Sequence, residues 1–367
     1  MSVPFGERGG VARGVADLVC GRLPRFVFGA TVGSSIPVFH FHNETRDDLA
    51  PKFRYLRENG YTTIGADALA DVARGRRPVG SREVALCFDD AWATVWTDAA
   101  PLLREYRLTA IVYPIPGRVA EADAPRPLQH AAEGHSHFMT WPEIRALHGE
   151  GVIDVQSHTW LHARIFTSAT AVDFVRPGYE QGPPLNRPLL ERAPVVRFLD
   201  PDELGAPIFE HRSRMSDGPR VQVQAGAHAA CVDVVRQEGG AAFFRRPGWR
   251  KRLEQTVAPF TRATSVESPD EQARAIEEEL DRSRSELSRR LGAPVRHVCL
   301  PWGVSGTITL GALHRLGFVS AVANRWAGTF AVSPGDDPFW LKRLHNRFVF
   351  SLPGHGRRTI LTQVLAR

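Results

Sequence analysis

Apolar positions recur along this chain in two alternating periods. Short apolar runs read as buried strands: IPVFHF at 36–41, VALCF at 84–88, LTAIVYPIP at 108–116 and HVCL at 297–300. Stretches of helical period lie between them. DDLAPKFRYLRENGY sets Leu49, Phe53 and Leu56 on one face and stops at Gly60. YTTIG is a further short strand, followed by the helix ADALADVARG. TDAAPLLREYR is helical, and TWPEIRALHGEG opens on Thr140, Pro142 and Glu143, the residues of a capped helix start. VIDVQSH is the next strand. DEQARAIEEELDRSRSELSRRLG predicts a long helix with Ala275, Ile276, Leu280 and Leu287 on one side. GTITLGALHRLGF then gives a helix and VSAVA a strand. Strands alternating with helices of this length predict a mostly parallel sheet or barrel. Between about 165 and 265 the pattern loosens, which predicts an insertion or cap.

Composition narrows the class. With 367 residues, 43% hydrophobic and 23% charged, the chain is long enough for one large core or two ordinary ones. Its net charge of +6 is spread along the sequence. No basic block is dense enough for a nucleic-acid footprint, so no nucleic-acid partner is expected. Cys20, Cys87, Cys231 and Cys299 are far apart and form no CxxC pair. They read as reduced, mostly buried thiols, with Cys87 and Cys299 facing the core. No segment approaches the ~20 uninterrupted apolar residues of a membrane span, and the N-terminus lacks an apolar signal region. A cytoplasmic protein is the expectation.

In folds of this kind chemistry sits at the carboxyl ends of strands. Three clusters fall there. VALCF runs straight into Asp89 and Asp90. Adjacent carboxylates repel, so the pair is either a solvated turn or faces a cation. VIDVQSH ends on His158, with His162 four residues on, a spacing that one helical turn would place on a single face to share a metal. PWG follows HVCL. Two imidazoles and a carboxylate make a metal site with open positions for water and substrate.

These residues carry a resemblance. LCFDDAW resembles the TFDDG motif of the polysaccharide deacetylase family (NodB homology, carbohydrate esterase family 4), SHTWLH its H[ST]xxH motif and CLPWG its Pro-aromatic-Gly motif. The likeness covers about residues 36–163 and 265–347. It implies a distorted (β/α) barrel with an inserted cap. It also implies a divalent metal, zinc as the expectation, held by Asp90, His158 and His162. Asp89 would be the base, and a backbone N–H near Trp302 would help stabilise the oxyanion. The general acid is His42, in FHFHN and on the same strand face as His40, or else His345. The chain departs from the family at position 91, where Ala replaces the usual Gly, so the turn after Asp90 is expected to avoid positive φ. The third motif lacks the Arg of some members. A cation to orient Asp89 must come from elsewhere, with Arg343 in LKRLH as candidate and a surface role as its alternative.

The implied reaction is removal of an N-acetyl group from an amino-sugar glycan or precursor, with a lipid- or nucleotide-linked sugar suggested by the missing signal region. Hydrolysis of another non-peptide C–N bond, or glycan binding without catalysis, are the rivals. His130, His135 and His137 read as a polar loop. Phe243, Phe244, Arg245, Arg246 and Trp249 are candidates for stacking on a sugar and pairing with a phosphate.

Overall fold

The computed structural model describes residues 19–128, 137–181, 184–191, 196–224, 226–262, 264–323 and 329–360. His130 and His135 lie outside them. The chain divides into two compact units, one of residues 6–161, 279–304 and 313–367, the other of 162–278 and 305–312 with the first five residues.

The first unit begins with β1 (Val38–Phe41), α1 (Arg46–Glu58), β2 (Thr62–Thr63), α2 (Ala66–Ala73) and β3 (Glu83–Asp90). Then come α3 (Ala100–Tyr106), β4 (Ala110–Pro114), α4 (Trp141–Gly149) and β5 (Ile153–Val155). A π turn, Val95–Ala99, precedes α3, because Pro101 has no N–H to return to Thr97. At the start of α4, Glu143 accepts the Thr140 N–H at 2.8 Å. The buried Glu143 is balanced by Arg126 at 2.6 Å.

The second unit is built differently. β6 (Arg164–Phe174) is followed by β7 (Leu189–Glu191), β8 (Arg197–Phe198), β9 (Pro207–Ser213) and β10 (Val221–Val223). Next come α5 (Ala227–Gln237), α6 (Trp249–Val257) and β11 (Thr264–Val266). The three strand pairs, β6–β9, β7–β8 and β10–β11, are antiparallel. The β6–β9 register slips twice, between Phe166 and Ala171 and between Ala171 and Asp173. Each slip breaks the period-2 alternation, which is why the sequence pattern loosens here. Phe174, Cys231, Phe243 and Leu253 form this unit's core.

The chain then returns through α7 (Pro269–Leu291), β12 (His297–Cys299), α8 (Thr307–Arg315), β13 (Ser320–Val322) and β14 (Leu344–His345). The principal sheet has the order β14-β1-β3-β4-β5, all parallel. β12 and β13 pair with each other, and isolated parallel bridges join Ser157 to Val298 and Val322 to Leu341. The parallel strands thus follow in the order β14, β1, β3, β4, β5, with the β12–β13 pair joined to the segments after β5 and before β14 by single bridges, a barrel-like arrangement not closed by ladders. This is the distorted (β/α) barrel of the sequence expectation.

Both faces of the barrel strands are buried. Val84, Leu86 and Phe88 of β3 belong to the cluster that holds Leu49, Phe53 and Leu56 of α1, Leu103 of α3, Ile144 of α4 and Leu287 of α7. Ala85 and Cys87 belong instead to the cluster with Val38, Ile111, Tyr113, Cys299 and Val322, from β1, β4, β12 and β13, and with Leu341 and Leu69 and Val72 of α2. That second cluster is the barrel interior. His297, at the start of β12, pins α2 beneath it: Asp67 accepts from Nε2–H at 2.9 Å, so Nδ1 accepts from the Ser320 hydroxyl at 2.8 Å.

Candidate active site

The interior alternation of β3, Ala85 then Cys87, continues to Asp89. The same rule on β1 carries Val38 to His40, and on the last segment Leu341 to Arg343 and His345. In register, His40 lies beside Cys87 on one flank and His345 on the other, and Asp89 lies beside Tyr113. The polar residues at the carboxyl ends of β1, β3 and β14 therefore crown one interior layer.

Two like charges can end β3 because they turn to different partners. Asp89 and Asp90 are both buried. Arg343 grips Asp89 with two parallel bonds, Nη1–Oδ1 at 2.6 Å and Nη2–Oδ2 at 2.7 Å. Burial alone would raise the Asp89 pKa, but the Arg343 guanidinium outweighs it and holds the carboxyl well below the usual carboxylate range. Asp90 should point away from the interior by alternation, but its φ of 67° swings it back. Its Oδ1 lies 3.3 Å from His158 Nε2, and its Oδ2 accepts from Trp92 Nε1 at 2.9 Å.

Ala91 corrects the expectation that the turn avoids positive φ: its φ is 53°. Asp90 and Ala91 are consecutive left-handed residues, a conformation that costs an L side chain about 1–2 kcal/mol. Ala91 is also fully buried in the helix-side core. Relief of the strain and loss of one buried methyl, about 0.8 kcal/mol, oppose each other in Ala91→Gly. Its stability is expected to stay within about 1 kcal/mol of wild type, whereas β-branched Ala91→Val should lose more than about 2 kcal/mol. Urea unfolding of the two variants is the check; a harmless Ala91→Val would sink the assignment of strain.

The His158–His162 spacing is a loop and not the helical turn the spacing suggested. The Ser157–Val298 bridge holds the chain extended up to His158, and positive φ at Thr159 (64°) and His162 (53°) coils it afterwards. Glu279 of α7 secures this loop: its backbone carbonyl accepts from Trp160 N–H at 3.1 Å and its carboxylate from Leu161 N–H at 3.0 Å. His158 Nδ1 donates to the Cys299 carbonyl at 2.6 Å, which fixes the tautomer and leaves Nε2 toward Asp90.

Among the described residues, two groups have donor atoms within 4.8 Å of one another: Asp90–His158–His162 and Asp89–His158–Cys299. The first fits a metal better. Its members are all buried, the His158 tautomer is set by a carbonyl, and one carboxylate with two imidazoles suits a divalent ion such as zinc. In the second, Asp89 is already held by Arg343, and burial pushes the Cys299 thiol pKa up, away from the thiolate a metal needs.

His42 Nε2 lies 3.8 Å from Asp89 Oδ2, with the imidazole half exposed. His345, exposed, accepts the Arg347 N–H at Nδ1 and meets His40, not Asp89. The sequence reading noted His40 only as the strand-mate of His42. Here it stands edge-on between the other two rings, 5.6 Å from His42 and 5.4 Å from His345. Burial, reinforced by the charge of Arg343, lowers its pKa to about 3, so it is neutral. The signal for it was the alternation in FHFH. Trp302 follows β12 in the Pro301–Gly303 turn with φ 55°. Trp92, two residues after Asp90, is a partner of Asp90 with no motif to mark it.

The other candidates have partners of their own. Cys87 and Cys299 are fully buried in the barrel interior. Phe243 is a core residue of the second unit, and Phe244 packs edge-on against Phe243 and Trp249. Arg246 pairs with Glu238 at 3.3 Å.

Residues 76–175, which contain the Asp pair and both histidines, match the family model for polysaccharide deacetylase. The poly-beta-1,6-N-acetyl-D-glucosamine N-deacetylase of Escherichia coli (strain K12) is 29% identical over 125 residues. That alignment takes in 33% of this chain and 18% of the E. coli protein, so the chain spans under a fifth of that relative. Among solved structures, the BpsB deacetylase domain from Bordetella bronchiseptica superposes with a TM-score of 0.52 at 17% identity, covering 86% of this chain and 96% of the domain. IcaB from Ammonifex degensii gives 0.48 at 18%, covering 85% and 92%. The Bordetella likeness shows the shared fold. The resemblance carried by the three motifs is thus met again by family model, curated relative and fold, and it is to the polysaccharide deacetylase family.

Proposed function

We propose that the chain is a metal-dependent hydrolase that removes an N-acetyl group from an amino sugar in a glycan. The observation that carries this reading is the buried Asp89–Arg343 pair set directly beside the Asp90–His158–His162 group. Asp90, His158 and His162 would hold the metal, which when bound polarises the amide carbonyl and makes a water acidic. Asp89 is kept ionised by Arg343 and stands ready as the proton acceptor. So acidic a carboxyl accepts a proton only from an activated donor, which matches it to a water of lowered pKa. His42, near Asp89 and open to solvent, would protonate the departing amine, and the Trp302 N–H would face the developing oxyanion. The balance is water plus amide giving acetate and a free amine. The E. coli relative is named for an N-acetylglucosamine polymer, which supports this substrate class.

The test is acetate release, with matching gain of free amine, from β-1,6- and β-1,4-linked N-acetylglucosamine oligomers by the zinc-loaded protein, beside N-formylated counterparts. Zinc-dependent acetate release that a chelator stops is the expected result. Release of formate alone would move the activity to another C–N bond. Tight zinc binding with no release of either would leave a non-catalytic binder.

A further inference from the structure

We propose that the second unit carries its own binding site for an acidic sugar, in a cavity of about 680 Å³ bounded by β6, β9, β10 and the start of α5. That volume lies within the roughly 300–1,000 Å³ of ordinary small-molecule sites. Its apolar wall includes Phe166 and Phe209, whose rings meet edge-on at 5.3 Å. Such faces take the C–H surface of a sugar ring. Gln222 and Gln224, both exposed, also line it, and their amides suit hydroxyl groups.

The lining also carries two guanidinium groups and an imidazole. Among the described residues, Arg197, Arg220 and His228 line the cavity and no carboxylate does. These groups are held from behind. Glu203, outside the lining, accepts from Arg197 at 3.0 Å and pairs with His228 at 2.9 Å. The Arg220 guanidinium donates to the Leu190 carbonyl, and its backbone N–H to Glu267 at 3.0 Å. Cationic groups fixed before a ligand arrives lose less freedom on binding. A guanidinium recognises a carboxylate and a phosphate by the same forked geometry, so a uronate and a sugar phosphate share this chemistry. The neighbouring Arg245–Arg246 stretch plays no part in the lining.

The inference is independent of turnover, because binding is measured without it. Isothermal titration of the full-length protein would use a glucuronic-acid disaccharide, glucose 1-phosphate and neutral cellobiose. At least one acidic probe is expected to bind about tenfold or more tighter than cellobiose, the size of one charge-assisted hydrogen bond. Which acidic probe wins names the source. Salt should weaken that binding, and Arg220→Met should erase the preference. Gln222→Ala with Gln224→Ala changes only exposed side chains and should weaken acidic-probe binding severalfold, with activity on a small N-acetylated substrate unchanged. Cellobiose binding as tightly as both acidic probes, or a double-glutamine variant that binds them like wild type, would overturn the proposal.

Discussion

Replacing Asp89 with asparagine is expected to lower turnover by about 10²–10⁴-fold while leaving metal content unchanged, because it removes a proton acceptor and not a ligand. Asp90→Asn, one residue on, is expected to do the opposite first: metal content falls, and activity falls with it. The split follows from the turn. Asp89 faces Arg343 and Asp90 faces His158, although the two are neighbours in the chain. His158→Ala should behave like Asp90→Asn and bind zinc far more weakly. Zinc titration of each purified variant beside acetate release separates the roles. Equal metal loss in Asp89→Asn and Asp90→Asn would mean that the two carboxylates act as one.

Arg343→Met should be the most damaging change to stability, at about 3–5 kcal/mol, the usual result of stranding one partner of a buried ion pair. Asp89 would keep its burial and lose its counter-charge. Asp89→Asn with Arg343→Met together removes both charges and should recover much of the loss, and urea unfolding of the three variants measures it. The pair also predicts a pH response. The folded-state pKa of Asp89 is depressed, so its stabilisation is fully present above the unfolded carboxylate value of about 3.9. It is lost as pH falls below that toward the folded value. In Arg343→Met the depression disappears and burial raises the Asp89 pKa instead, so the variant's deficit relative to wild type should shrink as pH falls toward and below about 3.9. If the single variant unfolds at the wild-type urea midpoint with a wild-type pH profile, the ion pair is not what holds Asp89.

Local chemistry was written plainly in the sequence. The apolar run of β3 ending on two aspartates, the capped start of α4 at Thr140 and Glu143, and the apolar stripe of α7 each depend on residues a few positions apart. Short-range sterics and hydrogen bonding decide them, and they formed as read. The three motifs likewise carried the resemblance to the polysaccharide deacetylase family from residues alone.

What the sequence left open depended on pairings with no local trace. Arg343 reaches Asp89 across 254 positions because β14 lies parallel beside β1 and β1 beside β3. Only that register turns one arginine among many into the counter-charge of Asp89. The same register wedges His40 between His42 and His345. The left-handed turn at Asp90 and Ala91 ran against local propensity, which disfavours alanine there. It is held because Met139 donates its N–H to the Ala91 carbonyl at 2.8 Å and the core closes over the Ala91 methyl. In the second unit, slipped antiparallel register erased the alternation that sequence patterns depend on. Sequence by itself determined which side chains are the candidates for the chemistry. Tertiary structure alone decided which way each faces and what charge it meets, because those depend on strand register and on burial, which are properties of the assembled sheet and not of any single segment.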